Sequence, residues 1–280
     1  MFPLYFIGFF VFIFGLCIGS FLNVVIYRLE KGEGFVGGRS YCPHCKHSLM
    51  WLDLIPVFSF LFLWGKCRYC GKKISVQYPM VEIATGLIFL LIFNFQFSWP
   101  VGASPQVLFN QFSIYQIINI LFLWYIASSL IVIFVYDLKF YLILDSVLFP
   151  AIIITFLFRL LSSFFIGNWV LGIGNFILAA LIASGFFLLI FLISRGAWMG
   201  FGDVKLAILL GLLLGFPNIL AGLFLSFFFG AIIGLILMLL QKKGLKSEIP
   251  FAPFLIAGTL VSMFFGDRII NWYFNFFILP

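Results

Sequence analysis

Long apolar runs separated by short polar breaks account for most of the chain, at residues 4–27, 79–98, 114–136, 143–164, 169–194, 203–216, 219–240 and 251–265. A helix rises about 1.5 Å per residue, so about 20 apolar residues cross a hydrocarbon core about 30 Å thick. The pattern therefore predicts about eight transmembrane helices, the sixth and eighth being short. The longest polar break falls between the first two runs, from about residue 28 to residue 78. The first run has no basic residue before it and no small-residue cleavage site, which predicts a retained anchor and not a removed signal peptide. Composition agrees with the pattern: 64% of residues are hydrophobic, 9% are charged, and 42 of the 280 are Phe, more than a soluble core of this length could bury. The predicted class is an all-α polytopic membrane protein with a small segment outside the bilayer.

The basic residues are unevenly shared among the breaks. With the amino terminus outside, the inner side holds Arg28, Lys31, Arg39, Lys46, Lys66, Arg68, Lys72, Lys73, Lys139, Arg195, Lys205, Lys242, Lys243 and Lys246, and the outer side only Arg159 and Arg268. Lys and Arg collect on the cytoplasmic face, so this division predicts the orientation. The net charge of +7 is thus a topology signal and does not call for a nucleic-acid partner.

The polar segment carries Cys42-Pro43-His44-Cys45 and Cys67-Arg68-Tyr69-Cys70. Two such pairs let four thiolates close a tetrahedron on one zinc or a similar thiophilic ion, each pair forming a tight turn that supplies two ligands. A disulfide or unmetallated pairing is the alternative, against which a reducing compartment weighs. His44 and His47 are secondary candidates beside four well-spaced cysteines, and Cys17, on the first apolar run, is expected to be inert packing. Between the pairs, Asp53 to Trp64 has an apolar part too short to cross a bilayer, which predicts an element lying along the membrane surface or packed under it. Gly32-Glu33-Gly34-Phe35-Val36-Gly37 matches a dinucleotide-binding fingerprint by letter, but no strand precedes it and no βαβ unit surrounds it, so it reads as a flexible loop.

Two acids stand out at the ends of apolar runs: Asp137 closes the third and Asp203 opens the sixth, at the same predicted depth near the inner surface. An ionisable group at membrane depth is costly to keep and marks candidate chemistry. Asp203 lies in Gly200-Phe201-Gly202-Asp203-Val204-Lys205, where glycines let another backbone approach the carboxylate. A helix N-cap is the competing reading for one aspartate alone. A pair suggests hydrolysis, in which one ionised carboxylate activates water and one protonated carboxyl supports the developing oxyanion.

Several motifs together resemble the type IV prepilin peptidases, bacterial membrane aspartyl proteases, over nearly the whole chain. They are the opening Gly15-Leu16-Cys17-Ile18-Gly19-Ser20-Phe21-Leu22-Asn23 stretch, the four cysteines, Asp53-Leu54-Ile55-Pro56 and Tyr78-Pro79-Met80-Val81-Glu82. Asp137-Leu138-Lys139, the GxGD signature at Gly200 to Asp203, and Ile249-Pro250-Phe251-Ala252-Pro253-Phe254 complete the set. The resemblance departs at Leu144-Asp145, where family members often carry Pro-Asp. Asp145 is therefore read as a residue that caps or begins the fourth helix. The stretch from Leu29 to Cys42 is also shorter than in many family members.

The resemblance implies Asp137 and Asp203 as the catalytic pair and Cys42, Cys45, Cys67 and Cys70 as ligands of one structural zinc. It implies a prepilin or pseudopilin substrate of type IV pili or type II secretion, whose basic leader is cut at the cytoplasmic face of the bacterial inner membrane. It further implies methylation of the new amino terminus with S-adenosylmethionine. The expected organisation is an anchor helix, cytoplasmic double-CxxC domain and second helix over 1–98, followed by a membrane-embedded peptidase domain over 114–276. Another GxGD intramembrane protease and an ion-coupled transporter are the rival readings, the latter weakened by the lack of an internal repeat. Lys139 and Lys205 read as headgroup anchors, with tuning of the aspartate site as the alternative, and Glu82 as either a functional acid or the partner of a basic group.

Overall fold

The computed structural model describes residues 2–34, 37–96, 114–165, 169–240 and 249–277. Nine α-helices occur among them: α1 (Phe2–Lys31), α2 (Phe58–Phe62), α3 (Gln77–Gln96), α4 (Ile114–Phe140), α5 (Asp145–Phe165), α6 (Trp169–Ser194), α7 (Phe201–Leu214), α8 (Asn218–Leu239) and α9 (Ala252–Phe277). A 3₁₀ turn, Trp51–Leu54, precedes α2, and the β-structure in the described residues amounts to two isolated bridges. All but α2 and α7 are long and apolar enough to cross a membrane. The eight expected runs thus appear as eight helices. The last is longer than the pattern implied, because Asp267 and Arg268 do not end it: Asp267 accepts a bond from Asn218 Nδ2 at 2.9 Å, and Arg268 lies against the Phe265 ring.

The chain forms two compact units, Met1–Val132 and Ile133–Pro280, which part inside α4. In the first, α1 and α3 pack backbone to backbone. A Cβ on Gly15 would lie 2.7 Å from Gly86 Cα, and one on Gly19 would lie 2.6 Å from Glu82 Cα. Helices in lipid gain nothing from hiding apolar surface, so close approach through small residues supplies the attraction. Asn23 strengthens the seam by donating to Gly19 O and Tyr78 O at 3.2 and 3.1 Å. The first half of α4 joins through Trp124, which stacks on Phe89 at 4.9 Å and donates to its carbonyl.

In the second unit, α7 has 14 residues, about 21 Å of helix, too short to cross the bilayer. A helix ending in lipid would leave carbonyls bare, a cost of several kcal/mol each. Arg159, from the interior of α5, donates to Leu212 O and Leu213 O, and Asn175 makes reciprocal bonds to the Phe216 backbone at 2.9 and 3.2 Å. Arg159 is therefore not a loop charge but the C-terminal cap of a short membrane helix. Small residues again set the packing: a Cβ on Gly211 would run into the Ala179–Ala180 backbone of α6, and one on Gly258 into Ser226 of α8.

Candidate active site and metal centre

Asp203 is the third residue of α7, whose first turn starts from an extended Gly200. Gly202 sits against Ile143, where an added Cβ would come within 3.2 Å. Asp137 lies one turn before the end of α4, in the part belonging to the second unit, so both acids are in Ile133–Pro280. Both are buried, at 5% and 8% exposure. The Asp203 carboxyl lies within electrostatic reach of Asp137. The backbone N–H of Ala252, the first residue of α9, lies near the Asp137 carboxyl. Such N–H groups at a helix start lack intrahelical partners and suit an anionic or polarised oxygen. An apolar cleft of about 590 Å³ is lined by Leu138, next to Asp137 in the chain, and by Tyr141, Phe229, Pro250, Pro253 and Phe254, among others.

The third aspartate behaves differently. Asp145 opens α5 and forms a bifurcated ion pair with Lys205, at 2.7 and 2.8 Å, so the expectation that it begins the helix holds. Lys205 also lies over the Phe149 and Phe201 rings. It ties α5 to α7 instead of reaching out as a lone headgroup anchor.

In the first unit the four cysteine sulfurs lie within 4.8 Å of one another, with Cys42 and Cys70 at 4.0 Å. A tetrahedral zinc with bonds of about 2.3 Å needs sulfurs roughly 3.8 Å apart, so the donor set fits such an ion with little closure. The two turns are built alike. Cys42 N–H donates to His47 O and Lys46 N–H to Cys42 O, while Cys67 N–H donates to Lys72 O and Gly71 N–H to Cys67 O, all at 2.9 Å. Lys46 and Gly71 have positive φ, 60° and 69°, and the bridges Tyr41–Ser48 and Lys66–Lys73 close the turns. Burial opposes ionisation of Cys42, but the N–H groups of Cys45 and His44 and the neighbouring thiols outweigh it and lower its pKa to about 7. Cys70 is raised to about 11, since burial and the other thiols outweigh the Lys72 N–H that favours its thiolate. His47 stacks on Tyr69 at 3.8 Å, and His44 is exposed. Cys17 faces outward from α1 and does not pack inside the unit.

Asp53 ties the second turn to the platform. Its side chain, 5% exposed, accepts from Arg68 Nε at 2.8 Å, Tyr69 OH at 3.0 Å and Met50 N–H at 3.1 Å. Buried Glu82 accepts from the Val57 N–H at 2.7 Å, so its partner is a backbone amide and not a basic residue. The glycine-rich stretch after α1 wraps a buried Arg28, which donates to the carbonyls of Gly34, Gly37, Gly38 and Arg39. Phe35 and Val36 of that stretch lie outside the described residues, as do Lys242, Lys243 and Lys246.

A family profile described as the bacterial peptidase A24 N-terminal domain matches residues 13–95, and one described as the type IV leader peptidase family matches residues 124–235. A prepilin leader peptidase/N-methyltransferase of Bacillus subtilis (strain 168) is 32% identical over 267 residues, covering 94% of this chain and 96% of that protein. Its namesake from Legionella pneumophila is 32% identical over 290 residues, covering 95% and 94%, and that from Aeromonas hydrophila is 31% identical over 294 residues, covering 96% and 94%. The chain belongs to the type IV leader peptidase family. No solved structure matches it significantly. The GxGD stretch and both aspartates fall inside the leader peptidase match, and the cysteines inside the N-terminal one. Sequence reasoning missed the Ala252 amide, although Pro250 and Pro253 mark a helix start there. It also missed the Gly15 and Gly19 seam, whose four-residue spacing is a known signal for close helix pairs.

Proposed function

We propose that this member of the family removes the basic leader from prepilins or pilin-like secretion proteins by two-aspartate hydrolysis and N-methylates the exposed amino terminus. The observation that carries the reading is the placement of buried Asp137 and Asp203 in one compact unit, within electrostatic reach of each other. One carboxylate takes a proton from water as it attacks the scissile carbonyl, and the other carboxyl hydrogen-bonds the oxyanion and then protonates the leaving amine. Two carboxyls within electrostatic reach of each other do not both ionise cheaply, which suits the division into one ionised and one protonated group. The apolar cleft beside Asp137 suits the hydrophobic stretch that follows the leader.

We assign the cytoplasmic face to the site and the outside to the amino terminus, on the distribution of basic residues. The two supposed outer charges support this assignment, since Arg159 and Arg268 both lie within helices and leave that side still poorer in loop charge. Cys42, Cys45, Cys67 and Cys70 would hold one structural zinc, which when bound would fix the two turns in place. S-adenosylmethionine would be the methyl donor, as the relatives' methyltransferase name implies. Family membership leaves the ion-carrier reading without support.

The test incubates purified protein in detergent with a prepilin and the methyl donor, followed by mass spectrometry of the products. Cut and methylated pilin is expected from the wild type, and none from Asp137→Asn or Asp203→Asn in protein that remains folded. Cleavage at the wild-type rate by either variant would reject the assignment.

A further inference from the structure

We propose that the segment from Met50 to Trp64 is an interfacial anchor, with its aromatic side chains inserted into the headgroup–acyl boundary of an anionic leaflet and its depth set by the Glu82–Val57 hydrogen bond. The segment carries large apolar side chains turned away from the first unit: Trp51 is 73% exposed, Phe62 79% and Trp64 88%, with Met50, Phe58 and Leu61 all above half. In water such a surface marks a binding face. Two observations say what covers it.

The first is depth. Val57, the residue before α2, donates to the carboxylate of Glu82, the sixth residue of α3. Five residues of helix are about 7.5 Å, and the 20 residues of α3 are about 30 Å, the thickness of the hydrocarbon core. Val57 is thus held within about a turn and a half of the end of a membrane helix, at or just inside the headgroup–acyl boundary, where a short surface element would lie in the bilayer plane. Val57 has φ 63°, unfavourable for a β-branched residue, and it is the buried Glu82 carboxylate that holds the backbone there. The chain reverses again at Trp64, φ 53°, and Gly65, where Phe60 packs within 3.0 Å of the Gly65 Cβ position.

The second is charge. Residues 39–73 contain Arg39, Lys46, Lys66, Arg68, Lys72 and Lys73 against a single acid, Asp53, which Arg68 already neutralises. The remaining basic side chains are exposed. Tryptophan with lysine around a short apolar element is the composition of membrane-surface segments, and each basic residue near an anionic leaflet contributes about 1 kcal/mol. A protein partner would be met by a flat apolar face with fewer cations, as charged residues are depleted at interface cores.

The experiment uses the full chain in nanodiscs whose lipids carry bromine either near the carboxyl end of the acyl chain or near its methyl end. Trp fluorescence of the wild type is compared with that of the Trp51→Phe/Trp64→Phe variant, and the difference isolates the two residues. Strong quenching of that difference by the shallow bromine and weak quenching by the deep one is expected, greater in anionic than in zwitterionic discs. Glu82→Ala is expected to reduce the shallow quenching at least twofold, and Glu82→Gln, which keeps an acceptor for the Val57 N–H, to preserve it. Difference fluorescence untouched by both bromines, as when the face rests on protein, would overturn the anchor. Equal quenching in both lipids would overturn the anionic preference, and an unchanged Glu82→Ala signal would overturn the depth setting.

Discussion

Three aspartates lie near the ends of membrane helices, and their surroundings separate them. Asp145 is half exposed and paired with Lys205, an ion pair of the kind that contributes at most about 1 kcal/mol in a wet setting. Asp137 and Asp203 are buried without a cation and have each other. Asp145→Asn is therefore expected to keep leader cleavage within a few-fold of the wild type, while either of the other two substitutions removes it. A loss for Asp145→Asn as deep as for Asp137→Asn, read from initial cleavage rates, would count against this division of roles. Asp53 carries a different burden, since three donors converge on a carboxylate that is nearly closed off from water. Asp53→Ala leaves Arg68, Tyr69 and the Met50 amide without their acceptor, at a cost of about 1–3 kcal/mol. The expected consequence is faster proteolysis between Cys45 and Cys67, with cleavage between these positions measured by mass spectrometry against an unchanged pattern in α3.

Helix contacts here rest on missing side chains. Gly19 lets α1 lie against α3, and Gly211 lets α7 lie against α6, with no room in either place for a methyl group. In a well-packed interior such an insertion costs about 1–3 kcal/mol and shifts backbone. Because α7 carries Asp203 at its start, Gly211→Ala is expected to lower the cleavage rate at least tenfold while substrate binding changes less, and Gly8→Ala, where an added Cβ would meet only the flexible end of Leu90, to leave it near the wild-type value. The ratio of kcat to KM effects for the two variants checks this. The helices themselves were legible in the hydrophobic pattern because each run had to match a bilayer. The end of α9 was not, because Asp267 and Arg268 read as a boundary although Asn218 and the Phe265 ring meet them and the helix continues to Phe277. Arg159 misled in the same way: an isolated charge in sequence gives no sign that it caps a neighbouring helix. The cysteine cluster was legible in its CxxC spacing and the aspartates stood out as acids ending apolar runs, whereas Ala252 offers only a backbone amide, and Glu82 meets an amide 25 residues away that no side-chain pattern reports.

At the scale of the molecule, the two sets of candidate residues fall in different parts of the chain. The cysteine cluster lies in Met1–Val132, and Asp137 and Asp203 in Ile133–Pro280. Metal binding by four thiolates fixes local structure, because no preformed site exists without the two turns, and it leaves groups far along the chain to their own packing. Replacing Cys42, Cys45, Cys67 and Cys70 together by Ser is therefore expected to remove about one zinc per chain, found by elemental analysis. Leader cleavage should stay within about threefold, since the metal would fix the two cysteine turns while both aspartates and Ala252 belong to the other compact unit. Full zinc content in the quadruple variant would exclude the proposed ligands. Cleavage lost in parallel with zinc, in protein whose helix content is intact, would instead show that the metal-bearing segment acts on the peptidase reaction itself, for example by holding the leader.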